Sequence, residues 1–65
     1  VSDEGALQPI INTVLEENPK VVADVKSGKT SALQFLVGQV MKKTKGTANP
    51  EVVRSLLVDQ FGVES

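Results

Sequence analysis

Apolar residues recur along the chain with the period of an α-helix. The first such stripe has the spacing i, i+3, i+4, i+7 and i+8 and consists of Leu7, Ile10, Ile11, Val14 and Leu15. This spacing predicts an amphipathic helix with one buried face. We place it over about 3–17, with Ser2 or Asp3 as its cap. The pair Asn18-Pro19 ends it, because proline disfavours the helical conformation in the residue before it.

Two Asn-Pro pairs mark the starts of further helices. Asparagine can accept a backbone N–H at a helix start, and proline in the first helical position sacrifices no hydrogen bond. Asn18-Pro19 therefore opens a short helix over about 19–27, ended by Gly28, and Asn49-Pro50 opens another over about 50–61, ended by Gly62. Their inward residues are Val21, Val22 and Val25 in the first and Val53, Leu56, Leu57 and Phe61 in the second.

The longest predicted helix lies between these two, over about 31–45. Thr30 or Ser31 caps it and Gly46 ends it, and its apolar face consists of Leu33, Leu36, Val37, Val40 and Thr44. No useful stretch alternates with period two, so strands are not expected. The sequence thus predicts an all-α fold, a small bundle of three to four short helices in one domain spanning residues 1–65.

The opposite face of this helix carries Phe35 and Gly38 together with Ser31, Lys42 and Lys45. A mid-helix glycine costs about 0.5–1 kcal/mol relative to alanine, so its presence needs a reason. In a structural interpretation Phe35 packs under another helix, which Gly38 allows to approach closely. In a functional interpretation Phe35, Gly38 and the lysines form a contact surface for a partner such as a sugar-phosphate backbone. The two interpretations can coexist, with Phe35 half-buried at the edge of a groove.

Charge is segregated along the chain, although its sum is only −1. Residues 1–19 carry −4, residues 20–45 carry +5 and residues 46–65 carry −2. Lys42, Lys43 and Lys45 crowd the predicted helix end, where cations complement the helix dipole. Three lysines in four positions exceed what the dipole needs, and such a cluster can also neutralise phosphates.

Several kinds of chemistry are disfavoured by composition. The 65 residues contain no cysteine, histidine, tyrosine or tryptophan, and no metal-ligand spacing is present. The stretch GKTSA at 28–32 resembles the end of a phosphate-binding loop, but position 23 is alanine and no strand precedes it. Catalysis by this chain alone is therefore not expected. The chain shows no signal peptide or membrane span and begins at Val1, which suggests a fragment of a longer protein.

Aromatic residues are limited to Phe35 and Phe61. Modules that bind single-stranded nucleic acid usually stack bases on aromatic rings. Their scarcity here argues against base stacking and favours recognition of backbone or shape, as a structured RNA would permit.

The segment ALQFLVGQVMKKTKGTANPEVVRSLL, residues 32–57, closely resembles the C-terminal tail of aspartyl/glutamyl-tRNA amidotransferase B subunits. The opening VSDEGAL and the ENPK before the second helix match the same region, so the similarity covers nearly the whole chain. A related stand-alone family shares the fold and a looser version of the glycine-lysine motif. Gln39, the unbroken TKG and the ANP favour the amidotransferase subunit.

The resemblance implies a non-catalytic tail that grips the outer corner of Glu-tRNA(Gln) or Asp-tRNA(Asn) on the D-loop side. It also implies a cytoplasmic heterotrimer with subunits A and C. In that complex glutamine supplies ammonia, and a separate cradle domain uses ATP and Mg²⁺ to activate the tRNA-borne carboxylate. This chain itself would need no cofactor and no metal.

Charge pattern and resemblance together give one set of candidate RNA-binding residues. Lys42, Lys43 and Lys45 would contact phosphates, Lys43 being the weakest candidate, with Lys29 in support. Gly38 would permit close approach, and Gly46 and Asn49 would shape the turn. The competing hypothesis is a protein–protein docking module in which Phe35 and Gly38 contact another domain and the lysines only aid solubility.

Overall fold

The computed structural model describes residues 4–62 as four α-helices joined by short turns. These are α1 (Glu4–Glu17), α2 (Pro19–Lys26), α3 (Thr30–Lys43) and α4 (Pro50–Phe61). No strand occurs within that range, so the all-α prediction is confirmed. The caps predicted at Ser2 and Asp3 lie outside the described residues.

Helix α3 is the central element of the bundle. It packs against each of the other three helices, whereas α2 and α4 hardly meet. It also contributes five of the eleven buried apolar side chains, namely Ala32, Leu33, Leu36, Val37 and Val40. The other six come from the predicted stripes of the remaining helices: Leu7, Ile11, Val14, Val25, Val53 and Leu57. The apolar faces read from the sequence are therefore the ones that build the core.

Three of the predicted helix boundaries are confirmed by their hydrogen bonds. Asn49 caps α4, since its side-chain Oδ1 accepts the backbone N–H of Glu51 at 2.8 Å. Gly28 follows α2 in the left-handed conformation with φ 102°, and Gly62 ends α4 with φ 67°. At Gly28 the backbone N–H groups of residues 28 and 29 donate to Val25 O and Asp24 O, which satisfies carbonyls that the helix end leaves free.

Two predictions about caps need correction. Asn18 occupies the cap position of α2 as predicted, but it forms no capping hydrogen bond with its side chain. Its Nδ2 instead donates to Val14 O at 2.8 Å and so closes the end of α1. Asn18 is the single residue between α1 and α2, and its side chain donates to one of the backbone carbonyls that the end of α1 leaves without a partner. Neither Thr30 nor Ser31 caps α3, because both already lie inside it and Lys29 occupies the cap position. Lysine has no side-chain acceptor, so this helix start lacks a side-chain cap.

Candidate nucleic-acid interface

The C-terminal end of α3 carries Lys42 and Lys43 in its last turn and Lys45 just beyond it. The helix ends at Lys43, two residues earlier than predicted, with Thr44 as the capping residue. The N–H of Lys45 donates to Lys42 O at 3.2 Å, and the N–H of Gly46 donates to Met41 O at 2.9 Å. These two hydrogen bonds form a Schellman motif, which fixes the backbone at the end of the helix. All three lysines therefore lie at the negative end of the helix dipole.

Lys45 occupies the left-handed position that glycine usually takes at such a helix end. Its φ is 56°, and it is the one non-glycine residue with positive φ in the described part of the chain. Gly46 follows with φ 76°, so two consecutive left-handed residues turn the chain away from α3. The sequence pattern predicts Gly46 alone as the residue that ends the helix, whereas the structure has Lys45 and Gly46 both in the left-handed conformation. A left-handed residue with a Cβ costs about 1–2 kcal/mol, and here a lysine bears that cost.

The three lysines differ in whether an anionic partner is already present. Lys43 Nζ lies 3.1 Å from Glu17 Oε1, which links the C-terminal ends of α3 and α1. Lys42 and Lys45 form no ion pair with any carboxylate among residues 6–62. The structure therefore leaves Lys42 and Lys45 available to an outside anion, and it engages Lys43 within the fold.

Lys29 lies at the other end of α3 from this cluster. Thirteen residues separate Lys29 from Lys42, which amounts to about 20 Å along a helix axis. Its Nζ lies 3.9 Å from Asp24 Oδ1, and both side chains are largely exposed. Such an exposed pair is worth at most about 1 kcal/mol and does not commit the lysine. Lys29 is thus a second cationic point, separate from the C-terminal cluster.

The turn between α3 and α4 is ordered by short-range hydrogen bonds. The hydroxyl of Thr44 donates to Met41 O at 3.0 Å, and that of Thr47 donates to Thr44 O at 2.6 Å. Since Asn49 uses its Oδ1 to cap α4, its side-chain oxygen is already engaged. The left-handed Gly46 and the capping Asn49 therefore both lie within this ordered turn, and their part in RNA binding stays a prediction.

Phe35 and Gly38 lie on an uncovered face of α3. Phe35 is 46% exposed, and a Cβ built on Gly38 would meet no atom within 4 Å. No described helix covers this pair, so the purely structural interpretation is wrong. The combined interpretation, with Phe35 about half-buried beside a contact surface, stays a prediction. Positions 35, 38 and 42 follow helical spacing, which places Phe35, Gly38 and Lys42 along one exposed strip.

The same part of the chain contains no fixed negative charge. Between Asp24 and Glu51 there is no carboxylate, whereas the interval holds five lysines. An anion approaching the exposed strip of α3 meets no acidic residue contributed by α3 or by the turn that follows it. The net charge of +5 over residues 20–45 indicates this basic interval, and the absence of acidic residues extends further, to residue 50.

Other kinds of site find little support among residues 4–62. No group of three or more His, Cys, Asp or Glu side chains there could hold a metal ion. A shallow, open groove on α4 is lined by Glu51, Arg54, Ser55, Val58 and Asp59 and contains none of the candidate lysines. Across the described helices, none combines the length and apolar character that crossing a membrane requires.

Fold and site together define a small all-α domain whose central helix ends in a cationic turn. The chain belongs to the GatB domain family, which matches it over residues 1–60. The resemblance seen in residues 32–57 is thereby confirmed, and the matching part of the relatives is their C-terminal region.

Its relatives include aspartyl/glutamyl-tRNA(Asn/Gln) amidotransferase subunits B from several bacteria. The chain is 60% identical over 62 residues to that of Geobacillus kaustophilus and 57% identical over 61 residues to that of Caldanaerobacter subterraneus. It is 53% identical over 61 residues to the subunit of Listeria monocytogenes. These matches cover 94–95% of this chain but only 13% of each relative's length. No solved structure gives a significant match.

Proposed function

We propose that this chain is the tRNA-binding tail of an amidotransferase B subunit. It would hold the outer corner of Glu-tRNA(Gln) or Asp-tRNA(Asn), on the D-loop side, so that the parent enzyme can amidate the misacylated end. The observation that carries this proposal is the pair Lys42 and Lys45, which have no ion-pair partner among the described residues and are fixed at the end of α3. The similar proteins are named as subunits of a tRNA(Asn/Gln) amidotransferase, which supports tRNA as the RNA that this chain would bind.

Phosphate contact is the interaction for which this turn is suited. Lysine ammonium groups neutralise phosphates and release condensed counterions, which gives affinity without reading base sequence. Residues 25–50 add no carboxylate that would repel a phosphate, and Gly38 leaves the backbone of α3 open to close approach. Lys29 would add a contact at the far end of α3, and Lys43 would contribute least because Glu17 already engages it.

The chemistry of the parent complex would lie outside this chain. Subunits A and C, glutamine as ammonia source, ATP and Mg²⁺ all belong to our proposal for a cytoplasmic parent enzyme. Residues 4–62 do not fit an ATP–Mg²⁺ site, since they offer no cluster of metal-ligating side chains. The GKTSA stretch there forms a helix-end turn and the start of α3 rather than a strand-linked phosphate loop. In our proposal this chain contributes binding, and the catalytic steps take place elsewhere in the parent enzyme.

Protein–protein docking is the second candidate function. The observation that favours it is Phe35, a large apolar side chain left 46% exposed on α3. In this alternative Phe35 and Gly38 contact another domain of the complex, and the lysines serve only solubility.

Salt dependence separates the two candidates. We expect the isolated chain to bind transcribed tRNA(Gln) with a Kd in the range of about 10⁻⁴–10⁻⁶ M. The logarithm of its affinity should fall with the logarithm of salt concentration by about 0.7–0.9 for each phosphate contact. Replacing Lys42 and Lys45 together by glutamine should make that slope shallower by about 1.5, with helicity preserved in far-UV circular dichroism.

The matched control replaces Lys20 and Lys26 of α2 by glutamine. It removes the same charge from two exposed lysines outside the candidate set. If both double variants change the slope equally, only total charge matters and the localised site is refuted. If neither the native chain nor the variants bind tRNA with a salt-dependent affinity, phosphate binding is contradicted and protein–protein docking is the better-supported function.

A further inference from the structure

Phe35 is the one large apolar side chain that the structure leaves exposed among the described residues, at 46%. Isolated exposed apolar residues are common and need no function by themselves. The position of Phe35 distinguishes it, because it lies on the strip that leads to Lys42 and shares that strip with the open backbone at Gly38.

The surface neighbours of Phe35 on α3 are uncharged, and several of them are polar. Gln34 is exposed and Gln39 half-buried beside it, and Ser31 lies one turn earlier. Phe35 and Lys42 are seven residues apart, or about 10 Å along the helix axis. Lys29 lies about 9 Å from Phe35 along the axis in the other direction. Along the helix axis the ring therefore lies between two lysines, and α3 itself contributes no carboxylate between them. The nearest carboxylates recorded at the two ends of α3 come from other helices, from Asp24 beside Lys29 and from Glu17 beside Lys43.

This arrangement fits an RNA strand with one base turned outward. An aromatic ring offers a flat apolar surface for stacking, and such stacking tolerates any base. Gly38, one turn from the ring, has no side chain and therefore lets sugar and phosphate lie against the helix. Lys42, two turns from the ring, can neutralise a phosphate. An apolar protein partner would have no comparable use for the lysines and the absence of carboxylates.

We propose that Phe35 stacks on one unpaired nucleobase of the bound RNA, while the adjoining backbone passes over Gly38 towards Lys42. This inference rests on the proposed function and deepens it. It reverses the expectation that low aromatic content excludes stacking, because one of the two phenylalanines lies at the candidate site and is free of the core.

The test compares three substitutions at Phe35 in the full 65-residue chain. Affinity for transcribed tRNA(Gln) is measured over a range of salt concentrations. Phe35→Ala should lower it by about 5- to 150-fold at every salt concentration, which is the range for loss of one stacked base. The slope against salt should not change, because no phosphate contact is removed. The ring protons of Phe35 should also shift upfield when native protein binds tRNA.

Two conservative variants separate ring stacking from apolar contact. Phe35→Leu keeps an apolar side chain without a flat ring and should lose most of the affinity, whereas Phe35→Tyr should retain it. Lys42→Gln is the complementary control, because it should change the salt slope by about 0.7–0.9. Since Phe35 lies outside the core cluster, all three Phe35 variants should keep the native circular dichroism spectrum.

The possible failures are distinguishable. If Phe35→Leu binds tRNA as tightly as native protein while Lys42→Gln still weakens binding, the proposed function stands and stacking is refuted. If Phe35→Ala leaves tRNA affinity unchanged but weakens association with purified amidotransferase subunits, the ring belongs to a protein interface. If native protein shows no salt-dependent affinity for tRNA, both proposals fail together.

Discussion

Lys45 combines an unfavourable backbone conformation with a charge that has no ion-pair partner in the described part of the chain. Its φ of 56° would suit glycine, and the next residue is a glycine. Sterically costly backbone conformations occur often at functional sites, where a side chain is needed despite the cost. At this position the lysine adds a positive charge just beyond the last turn of α3, the turn that contains Lys42. Local stability and the proposed phosphate contact therefore favour different residues.

Replacing Lys45 by glycine should separate these two demands. We expect Lys45→Gly to raise the free energy of unfolding by about 0.5–1 kcal/mol, since relief of the left-handed strain exceeds the added entropy of the unfolded chain. The same variant should bind tRNA more weakly. Urea denaturation and a tRNA titration measure the two effects.

The matched control is Lys45→Gln, which removes the charge but keeps the Cβ. It should weaken tRNA binding as much as glycine does, without the gain in stability. Loss of stability in Lys45→Gly would contradict the strained conformation, and unchanged tRNA binding in both variants would remove Lys45 from the site.

At the scale of the element, α3 has two roles on opposite faces. Its inner face supplies five of the eleven buried apolar side chains, and its outer face presents Phe35, Gly38 and Lys42. A cover for the outer face would need a fifth helix or a partner, because α1, α2 and α4 all pack elsewhere on α3. The helix that holds the bundle together is therefore also the one that carries the candidate site.

Gly38 provides the prediction at this scale. A Cβ there meets nothing within 4 Å and the backbone is helical, so Gly38→Ala should stabilise the fold by about 0.5–1 kcal/mol. If RNA backbone approaches α3 at this point, the more stable variant should nevertheless bind tRNA less tightly. The midpoint temperature of thermal unfolding should therefore rise, while the affinity for tRNA falls.

Gly28→Ala serves as the control because Gly28 also has open space around it but has φ 102°. This variant should be destabilised, since alanine does not tolerate that backbone conformation. A destabilised Gly38→Ala would mean that the face is covered after all. A Gly38→Ala variant with native tRNA affinity would mean that the RNA passes elsewhere.

The helices were predictable because their apolar periodicity and Asn-Pro and glycine signals are local properties of the chain. The caps were less predictable, since Asn18 and Asn49 share the same sequence context but only Asn49 has a turn before it that leaves its side chain free. Periodicity also assigns Phe35 to a face of α3 without showing whether another helix covers that face. That depends on how the four helices pack, as does the pairing of Lys43 with Glu17.

At the scale of the whole molecule, the charge of −1 conceals two kinds of surface. Residues 25–50 carry five lysines and no carboxylate, and the segments on either side carry net negative charge. Such segregation gives the molecule a preferred orientation towards a polyanion, because the acidic segments are repelled while the basic interval is attracted. An RNA should therefore meet α3 and the turn that follows it rather than α1.

Chemical-shift mapping of the isotope-labelled chain with transcribed tRNA(Gln) tests this claim most directly. Shift changes should concentrate in residues 29–49 and be largest on the outer face of α3 and in the turn at Lys45. The buried face of α3 and the acidic helix α1 should show little change. Perturbations that cluster on α1 and leave residues 29–49 unchanged would contradict the account.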